Sequence, residues 1–338
     1  MYVKSLLASA REIRIESAEM PDEIAPDHLR LRLATASICG TDMHYFRHFA
    51  NAGFVLDNPV TLGHEACAYV EDANGHGFSP GQLVAINPVI ECGTCAKCRA
   101  GDINMCATKR FPGSATTKPH IDGFFRERFD FPARCCHAVS VSVAPDHLTF
   151  AEPLACAMHA VNRAGVSRGD RVLVTGCGPM GLLATIGAAA KGAEVAVTDL
   201  KPAAIDAARA VGASAGYVTG EESPEGAAYD VVIEASGSPH AYNQALDAVR
   251  YQGTIGVLSL IQPSEVPINL HLNALKEVRS VGSILFTREF ADAVALIAGG
   301  EVDFEAITAA RFAVANTQAA CELMADGRAV GKVLIKPD

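Results

Sequence analysis

The stretch from position 171 to 213 restricts the possible folds more than any other part of the chain. A short β-branched run, "RVLVT", leads into the pattern Gly176-x-Gly178-x-x-Gly181 and then into an apolar, alanine-rich stretch of helical character. A second strand-like run, "EVAVTD", ends in Asp199, 23 positions after Gly176 (199 − 176). Glycines at this spacing between a strand and a helix, with an acid about 20 residues on, predict a Rossmann unit that binds a dinucleotide.

The residues of this glycine loop have separate predicted roles. Gly176 allows the tight turn, Gly178 lets the backbone approach a pyrophosphate, and Gly181 allows the helix to pack closely on the strand. The helix that begins near Pro179 and Met180 presents free N–H groups and the positive end of its dipole to the anion. We therefore predict that this loop binds the cofactor phosphates.

Asp199 indicates which dinucleotide is bound. Its carboxylate is expected to accept hydrogen bonds from the adenosine ribose and to repel a 2′-phosphate, which favours NAD over NADP. Lys201 lies close enough to weaken that preference, so NADP stays possible. Further strand-like runs, "YDVVIEASG" and "GTIGVLSL", alternate with the helix-like "SPHAYNQALDAVR", which predicts a doubly wound α/β sheet.

A second feature is a dense cysteine cluster with the spacing C-x2-C-x2-C-x7-C, formed by Cys92, Cys95, Cys98 and Cys106. Four thiolates close a tetrahedral shell around zinc and leave no open position for substrate. We interpret the cluster as a structural zinc site. Idle reduced thiols and an iron–sulfur cluster are the alternatives.

Three other possible zinc ligands are scattered upstream of the glycine loop: Cys39 in "SICGTDMHYF", His64 in "TLGHEACAYV" and Glu152 in "FAEPLACAMHA". Three protein ligands plus a water make an open, catalytic zinc site. Taken singly, each has another explanation, because Cys39 can be a buried apolar residue, His64 can pair with Glu65, and Glu152 can be a first-turn helix acid. Spacing alone does not join them.

Taken together, "ICGTD", "LGHE", the cysteine cluster and "GxGPxG" after a strand occur in the order and spacing of the zinc-dependent medium-chain alcohol dehydrogenases. The chain resembles this family over essentially its whole length. Glu152 in "AEPL", where liver-type alcohol dehydrogenases carry cysteine, is similar to the polyol (sorbitol) branch.

The resemblance implies a catalytic zinc site. Cys39 and His64 would be its firm ligands, the carboxylates of Glu65 and Glu152 would complete or exchange in its shell, and Asp42 would orient the ligand imidazole. With the cysteine cluster, this makes two Zn²⁺ ions per chain.

The resemblance also implies a substrate site and a proton path. Thr41 would hydrogen-bond the substrate oxygen and start the proton relay, while Tyr45, Phe111 and Glu152 would contact the substrate. His44 is a candidate for the outer relay, with an ordinary polar side chain as the equal alternative. The expected reaction is hydride transfer between a secondary alcohol and NAD(P).

The family resemblance further implies the architecture: a mostly β, GroES-like catalytic domain with a Rossmann domain inserted in it. We expect residues 1–145 and 283–338 to form the catalytic domain and residues 146–282 the dinucleotide-binding domain. The same resemblance implies a homo-oligomer, a tetramer or a dimer.

Composition excludes several other classes of function. The net charge is −10 without a basic stripe, which argues against nucleic-acid binding. No apolar run approaches the ~18 residues of a membrane span, and the N-terminus lacks a convincing signal peptide, so we expect a cytoplasmic protein. In that compartment eleven cysteines indicate metal ligands and free thiols more than disulfides.

The substrate class is less constrained by the sequence. We expect a sugar acid, with a neutral polyol as the alternative and a catalytically silent nucleotide-binding sensor as a distant one. In polyol and related dehydrogenases an arginine is expected after the last cofactor strand, where this chain has Leu285 in "GSILF". Another cation should then compensate a substrate carboxylate, and the candidates are Arg288, Lys118, His120, Arg110 and Arg47.

Overall fold

The computed structural model describes residues 1–261 and 265–337, which belong to two compact units. The first unit comprises Met1–Glu152, Phe290–Glu301 and the C-terminal stretch from Thr308, and the second comprises Pro153–Glu289 and Val302–Ile307. Within the described residues, no helix is long and apolar enough to cross a membrane.

Residues 1–163 form short strands and few helices. The strands are β1 (Tyr2–Ser9), β2 (Glu12–Ala18), β3 (His28–Ser37), β4 (Ala50–Asn51), β5 (Phe54–Val55), β6 (Val60–Thr61), β7 (Glu65–Asp72), β8 (Leu83–Ile86), β9 (Arg128–Pro132) and β10 (Cys136–Ala138). The helices are α1 (Gly40–His48), α2 (Ala96–Arg99), α3 (Pro145–Leu148) and α4 (Ala151–Arg163), with 3-10 turns at Ile103–Met105 and Ala133–Cys135. This confirms the predicted mostly β domain.

Residues 171–282 alternate strands with helices, as predicted. The strands are β11 (Arg171–Thr175), β12 (Glu194–Asp199), β13 (Ala215–Val218), β14 (Tyr229–Glu234), β15 (Val249–Val257) and β16 (Arg279–Gly282), and the helices are α5 (Pro179–Ala190), α6 (Pro202–Ala210), α7 (Pro239–Ala248) and α8 (Leu270–Leu275). All neighbouring strands pair in parallel, in the order β13-β12-β11-β14-β15-β16. This is the doubly wound order of a Rossmann sheet.

The C-terminal segment contains α9 (Glu289–Gly299), a 3-10 turn at Glu305–Ile307, β17 (Thr308–Ala313), a 3-10 turn at Val314–Asn316, α10 (Thr317–Ala325) and β18 (Lys332–Lys336). The unit limits at 152/153 and 289/290 fall within α4 and α9, a few residues beyond the predicted limits. β18 returns to the sheet of the first unit and pairs antiparallel with β3, with Leu334 opposite Ser37. On its other side β3 pairs with β7, with Ser37 opposite Glu65. Residues distant in sequence therefore meet at one end of β3.

Three glycines pack backbone against backbone beside this strand end. A Cβ atom on Gly123 would lie 2.2 Å from the carbonyl oxygen of Gly63, and one on Gly113 would lie 2.8 Å from the same atom. Gly63 itself has a φ of +94°, which favours glycine. Beneath them Phe124 packs against Phe129, with ring centroids 5.0 Å apart. The crossing fixes the chain immediately before His64.

Candidate active site

A thiol, an imidazole and a carboxylate converge where β3 ends and β7 begins. Cys39 directly precedes helix α1, Glu65 is the first residue of β7, and His64 directly precedes Glu65. One ligand atom from each of Cys39, His64 and Glu65 lies within 4.8 Å of the other two. Sulfur, imidazole nitrogen and carboxylate oxygen are the donors that zinc takes in proteins, so the residues present fit a zinc ion.

Asp42 connects the two chain segments that carry these groups. The fully buried carboxylate accepts hydrogen bonds from the backbone N–H groups of Cys39 (2.9 Å) and Gly63 (3.0 Å), and one of its oxygens lies 3.6 Å from Nδ1 of His64. Burial favours the neutral ring, yet Asp42 and Cys39 raise the pKa of His64 well above its usual range. The local field is therefore negative and favours a cation.

A buried cation lies on the other side of Glu65. Nζ of Lys332, the first residue of β18, lies 2.5 Å from both carboxylate oxygens of Glu65, and the hydroxyl of Ser37 donates to one of them. Lys332 is 2% exposed and Glu65 is 0% exposed. Burial alone would lower the pKa of Lys332, but the Glu65 carboxylate attracts the proton and the pKa is raised. Lys332 is therefore held in its protonated, cationic form.

Glu152 lies in the first turn of α4 and is buried. Its negative charge contributes to the raised pKa of Lys332, which places its carboxylate in the same electrostatic environment. Among the described residues, the group of ligand atoms within 4.8 Å of one another contains Cys39, His64 and Glu65 but not Glu152. Its predicted metal role stays a prediction.

Helix α1 carries three of the other predicted residues. Thr41 and His44 are partly buried, and burial together with the nearby charge of Arg47 lowers the pKa of His44. Tyr45 is 1% exposed, and its hydroxyl accepts a hydrogen bond from the backbone N–H of Ala115. Phe111 packs its ring on His64, with centroids 5.1 Å apart. Of these four residues, Phe111 is in direct contact with a member of the candidate ligand group, and the substrate roles of all four stay predictions.

The cysteine cluster is brought together as predicted, with its four sulfur atoms within 4.8 Å of one another. The backbone N–H of Cys95 points to the sulfur of Cys92 at 3.4 Å, and that of Cys98 points to the sulfur of Cys95 at 3.5 Å. Backbone donors, first that of Thr94, lower the pKa of Cys92 to about 5. Burial, and then the Cys95 thiol, raise the pKa of Cys98 to about 12, so the loop favours the thiolate at Cys92 and not at Cys98. It is the closeness of the four sulfur atoms that fits a metal site.

The glycine loop lies between β11 and α5. Gly176 has a φ of +88°, and a Cβ atom on Gly181 would lie 1.8 Å from the carbonyl oxygen of Gly176. By contrast, a Cβ atom on Gly178 would have no heavy atom within 4 Å. Pro179 is the first helical residue, followed by Met180, so the helix begins at the loop with its N–H groups directed away from the helix body. Space for an anion is thus next to Gly178.

Asp199 is the last residue of β12, and each of its two carboxylate oxygens accepts a hydrogen bond. It accepts hydrogen bonds from the backbone N–H groups of Cys177 (2.7 Å) and Lys201 (2.9 Å). The carboxylate is thereby fixed beside the glycine loop, where each oxygen keeps a lone pair for a further donor.

Comparisons with known proteins agree with this arrangement. Residues 25–141 match the model of the alcohol dehydrogenase GroES-like domain, and residues 179–299 match that of the zinc-binding dehydrogenases. The chain is 30% identical over 315 residues to an L-idonate 5-dehydrogenase (NAD(P)(+)) of Escherichia coli (strain K12), covering 90% of each chain. The chain belongs to the zinc-dependent medium-chain alcohol and polyol dehydrogenases. It is an oxidoreductase of this family, with a catalytic zinc.

Other members of the family that resemble this chain are named for different substrates. A sorbitol dehydrogenase of Bacillus subtilis (strain 168) is 29% identical over 330 residues, covering 94% of this chain and 92% of that protein. The crystal structure of L-idonate 5-dehydrogenase from Escherichia coli str. K-12 substr. MG1655 has a TM-score of 0.93 at 27% identity, covering 99% of this chain and 98% of that one. The predicted fold, a Rossmann domain with a GroES-like catalytic domain, is confirmed.

Sequence reasoning missed two residues that contact Glu65, Lys332 and Ser37. Lys332 directly precedes the apolar run "VLI", and a lysine that continues a buried strand needs a partner. That signal marks Lys332 as unusual, but it does not reveal Glu65, which lies 267 positions away. Only the strand order β7-β3-β18 brings them together.

Proposed function

We propose that this dehydrogenase oxidises a secondary alcohol of a sugar acid and interconverts L-idonate and 5-keto-D-gluconate with NAD(P). The observation that carries the proposal is the convergence of Cys39, His64 and Glu65. Similarity to an L-idonate 5-dehydrogenase over 90% of both chains supports the choice of substrate.

In this proposal Cys39 and His64 hold the catalytic zinc, and the carboxylates of Glu65 and Glu152 complete or exchange in its shell. When bound, zinc supplies Lewis acidity that lowers the pKa of a substrate hydroxyl. Asp42 fixes both ligand-bearing segments through backbone N–H groups, so the ligands need little rearrangement.

The chain's own residues then move the proton. The hydroxyl of Thr41 accepts the substrate proton and passes it to His44. Because burial and Arg47 lower the pKa of His44, its ring is neutral near pH 7 and able to accept that proton. Tyr45 and Phe111 shape the pocket, with Phe111 supporting the ring of His64.

The second unit binds the dinucleotide, which when bound accepts the hydride. The loop of Gly176, Gly178 and Gly181, with Pro179 and Met180, takes the pyrophosphate at the N-terminus of α5. The fixed carboxylate of Asp199 prefers the ribose of NAD, while Lys201 keeps NADP possible.

The cysteine cluster holds a second, structural zinc in this proposal. Cys92, Cys95, Cys98 and Cys106 supply four sulfur donors at mutual distances that a single ion can bridge. A closed shell of this type stabilises its loop and takes no part in the reaction.

We further propose the predicted inserted-domain division, a homo-oligomer and a cytoplasmic location. Support for self-association comes from large apolar side chains exposed on the second unit, which are Tyr251, Leu260, Leu270, Leu275 and Ile284. Exposed apolar side chains of this size are the kind that a surface between subunits covers.

Arg47 is our choice for the cation that meets the substrate carboxylate. Lys118 already pairs with Asp57, and both ring nitrogens of His120 are engaged, one with the carbonyl of Thr117 and one with the N–H of Asp57. Arg47 lies on the same helix as Thr41 and His44, and within the described residues it makes a hydrogen bond to a backbone carbonyl but no ion pair.

The test is NAD reduction by zinc-loaded protein, followed by absorbance, with idonate, gluconate, sorbitol and xylitol. Idonate is expected to turn over fastest. Arg47→Gln is expected to raise KM for idonate about 10- to 150-fold, the equivalent of about 1.5–3 kcal/mol for a hydrogen bond to a charged group, and to leave KM for sorbitol within about twofold. Equal effects on both substrates would exclude Arg47 as the carboxylate partner.

A neutral polyol is the second candidate substrate, favoured by Leu285 at the position of the expected arginine. Faster turnover of sorbitol or xylitol than of idonate would select it. Bound NAD without turnover of any substrate would instead indicate a silent nucleotide-binding sensor.

A further inference from the structure

Glu234 is a buried acidic residue that the proposed reaction does not use. It is the last residue of β14 and is 0% exposed. Acidic side chains are almost never fully buried unless a cation pairs with them. In the part of the chain that the structure describes, however, the side-chain partners of Glu234 are all neutral donors.

These donors belong to two neighbouring loops. One carboxylate oxygen of Glu234 accepts hydrogen bonds from the backbone N–H (2.8 Å) and the hydroxyl (2.6 Å) of Ser236 and from the N–H of Gly237 (2.9 Å). The other oxygen accepts a hydrogen bond from the hydroxyl of Ser259, which follows β15. Hydrogen bonds of this kind favour the ionised form of a carboxyl group. They orient dipoles toward the negative charge but do not cancel it.

Glu234 lies at the edge of the sheet where a dinucleotide is expected. The strand order β13-β12-β11-β14-β15-β16 reverses between β11 and β14, and in such sheets the ligand binds in the crevice at the carboxyl ends of these strands. The loop after β14 contacts the glycine loop, since a Cβ atom on Gly176 would lie 2.8 Å from Cα of Ser236. Glu234 therefore supports one wall of the proposed cofactor crevice.

The position of Asp199 indicates which half of the dinucleotide is nearer to Glu234. Asp199 is the last residue of β12, which pairs with one side of β11, and in the proposed function it binds the adenosine ribose. β14 pairs with the other side of β11. With the pyrophosphate over the glycine loop after β11, the nicotinamide half extends toward the carboxyl ends of β14 and β15, where Glu234 and its donors lie.

We propose that Glu234 makes the cofactor site prefer the oxidised dinucleotide through the charge of its buried carboxylate. The nicotinamide ring is a cation in the oxidised cofactor and neutral in the reduced one. A negative charge inside the protein attracts a nearby cation more strongly than it would in water, and it has little effect on a neutral ring. A buried charge without a cation partner is costly to keep, and such groups are concentrated at functional sites. This inference rests on the proposed dinucleotide site.

Glu234→Gln is the deciding variant. Glutamine has the same length, keeps an acceptor oxygen for Ser236 and Gly237, and removes the charge. Fluorescence enhancement measures NADH binding, and displacement of NADH measures binding of NAD⁺ and of ADP-ribose, which lacks the ring. The dissociation constant for NAD⁺ should rise about fivefold or more, whereas those for NADH and ADP-ribose should stay within about twofold of wild type. An unchanged NAD⁺ constant, or equal weakening of NAD⁺ and NADH, would overturn the proposal.

Ser259→Ala is the matched control, because it removes one donor to Glu234 and keeps the charge. With the charge in place, the ratio of the NAD⁺ and NADH dissociation constants should stay within about twofold of wild type. A shift of this ratio against NAD⁺ would show that the shape of the loops decides it, and this would overturn the proposal even if Glu234→Gln does not fold. Wild-type protein that binds none of the three nucleotides would instead overturn the proposed dinucleotide site, and this inference with it.

Discussion

Alanine substitutions at Gly178 and Gly181 should separate cofactor binding from folding. Gly178 has φ −67° and an added Cβ atom meets nothing within 4 Å, so alanine fits the folded chain without strain. Reduced freedom of the unfolded chain is then expected to raise the unfolding free energy by about 0.4–1 kcal/mol. The same Cβ atom fills the space that we assign to the pyrophosphate. Loss of one hydrogen bond to a charged phosphate, about 1.5–3 kcal/mol, should weaken NADH binding about 10- to 150-fold.

Gly181→Ala is the matched control, with the opposite expectation. Its Cβ atom would lie 1.8 Å from the carbonyl oxygen of Gly176, so α5 must move away from β11. Overpacking of this kind costs about 1–3 kcal/mol or more. Urea unfolding followed by circular dichroism measures the stabilities, and enhancement of NADH fluorescence measures binding, in a chain without tryptophan. Wild-type NADH affinity in a folded Gly178→Ala variant would show that the pyrophosphate does not lie over Gly178.

Three further outcomes are expected. The pKa of Cys92 is lowered to about 5, so the rate of its alkylation in zinc-free protein should be nearly constant between about pH 6.5 and 8.5. An ordinary cysteine reacts about tenfold faster per pH unit over this range, and mass spectrometry measures both rates. Burial alone would raise the pKa of Glu289, but hydrogen bonds from His159 and other donors hold that pKa well below its usual range. The stabilisation by these bonds is present above about pH 4 and is lost as pH falls. The unfolding free energies of wild type and Glu289→Gln should therefore differ by about 1–3 kcal/mol at pH 7 and converge toward about pH 3. Gly123→Ala should destabilise the protein by at least about 1–3 kcal/mol in urea, because its Cβ atom would meet backbone at 2.2 Å, whereas Gly77→Ala, with nothing within 4 Å, should be neutral.

The Rossmann half was predictable because its signals are local. The strand-like runs ending at Thr175 and Asp199 and the glycines between them specify turn, helix start and carboxylate within one short stretch. The cysteine cluster is local in the same sense, since its four cysteines lie within one short stretch of chain. In contrast, the contact between Lys332 and Glu65 depends on strand order across 267 positions, and no residue near either one indicates it. The proposed substrate class is harder still to read from the sequence, because the choice of Arg47 rests on the contacts that Lys118 and His120 make in the folded chain.

Asp42 shows how two short sequence motifs that spacing alone did not join come together in the fold. Its two oxygens bind the backbone N–H groups of Cys39, three residues before it, and of Gly63, the residue before His64. Backbone hydrogen bonds to one buried carboxylate therefore tie together the chain segments that carry Cys39 and His64. Gly63 can take part because its φ of +94° turns its N–H toward Asp42 while the glycine crossing leaves no room for a side chain. Asp42 in the motif "CGTD" thus binds backbone N–H groups of both its own motif and the motif "LGHE", and it holds the two motifs together.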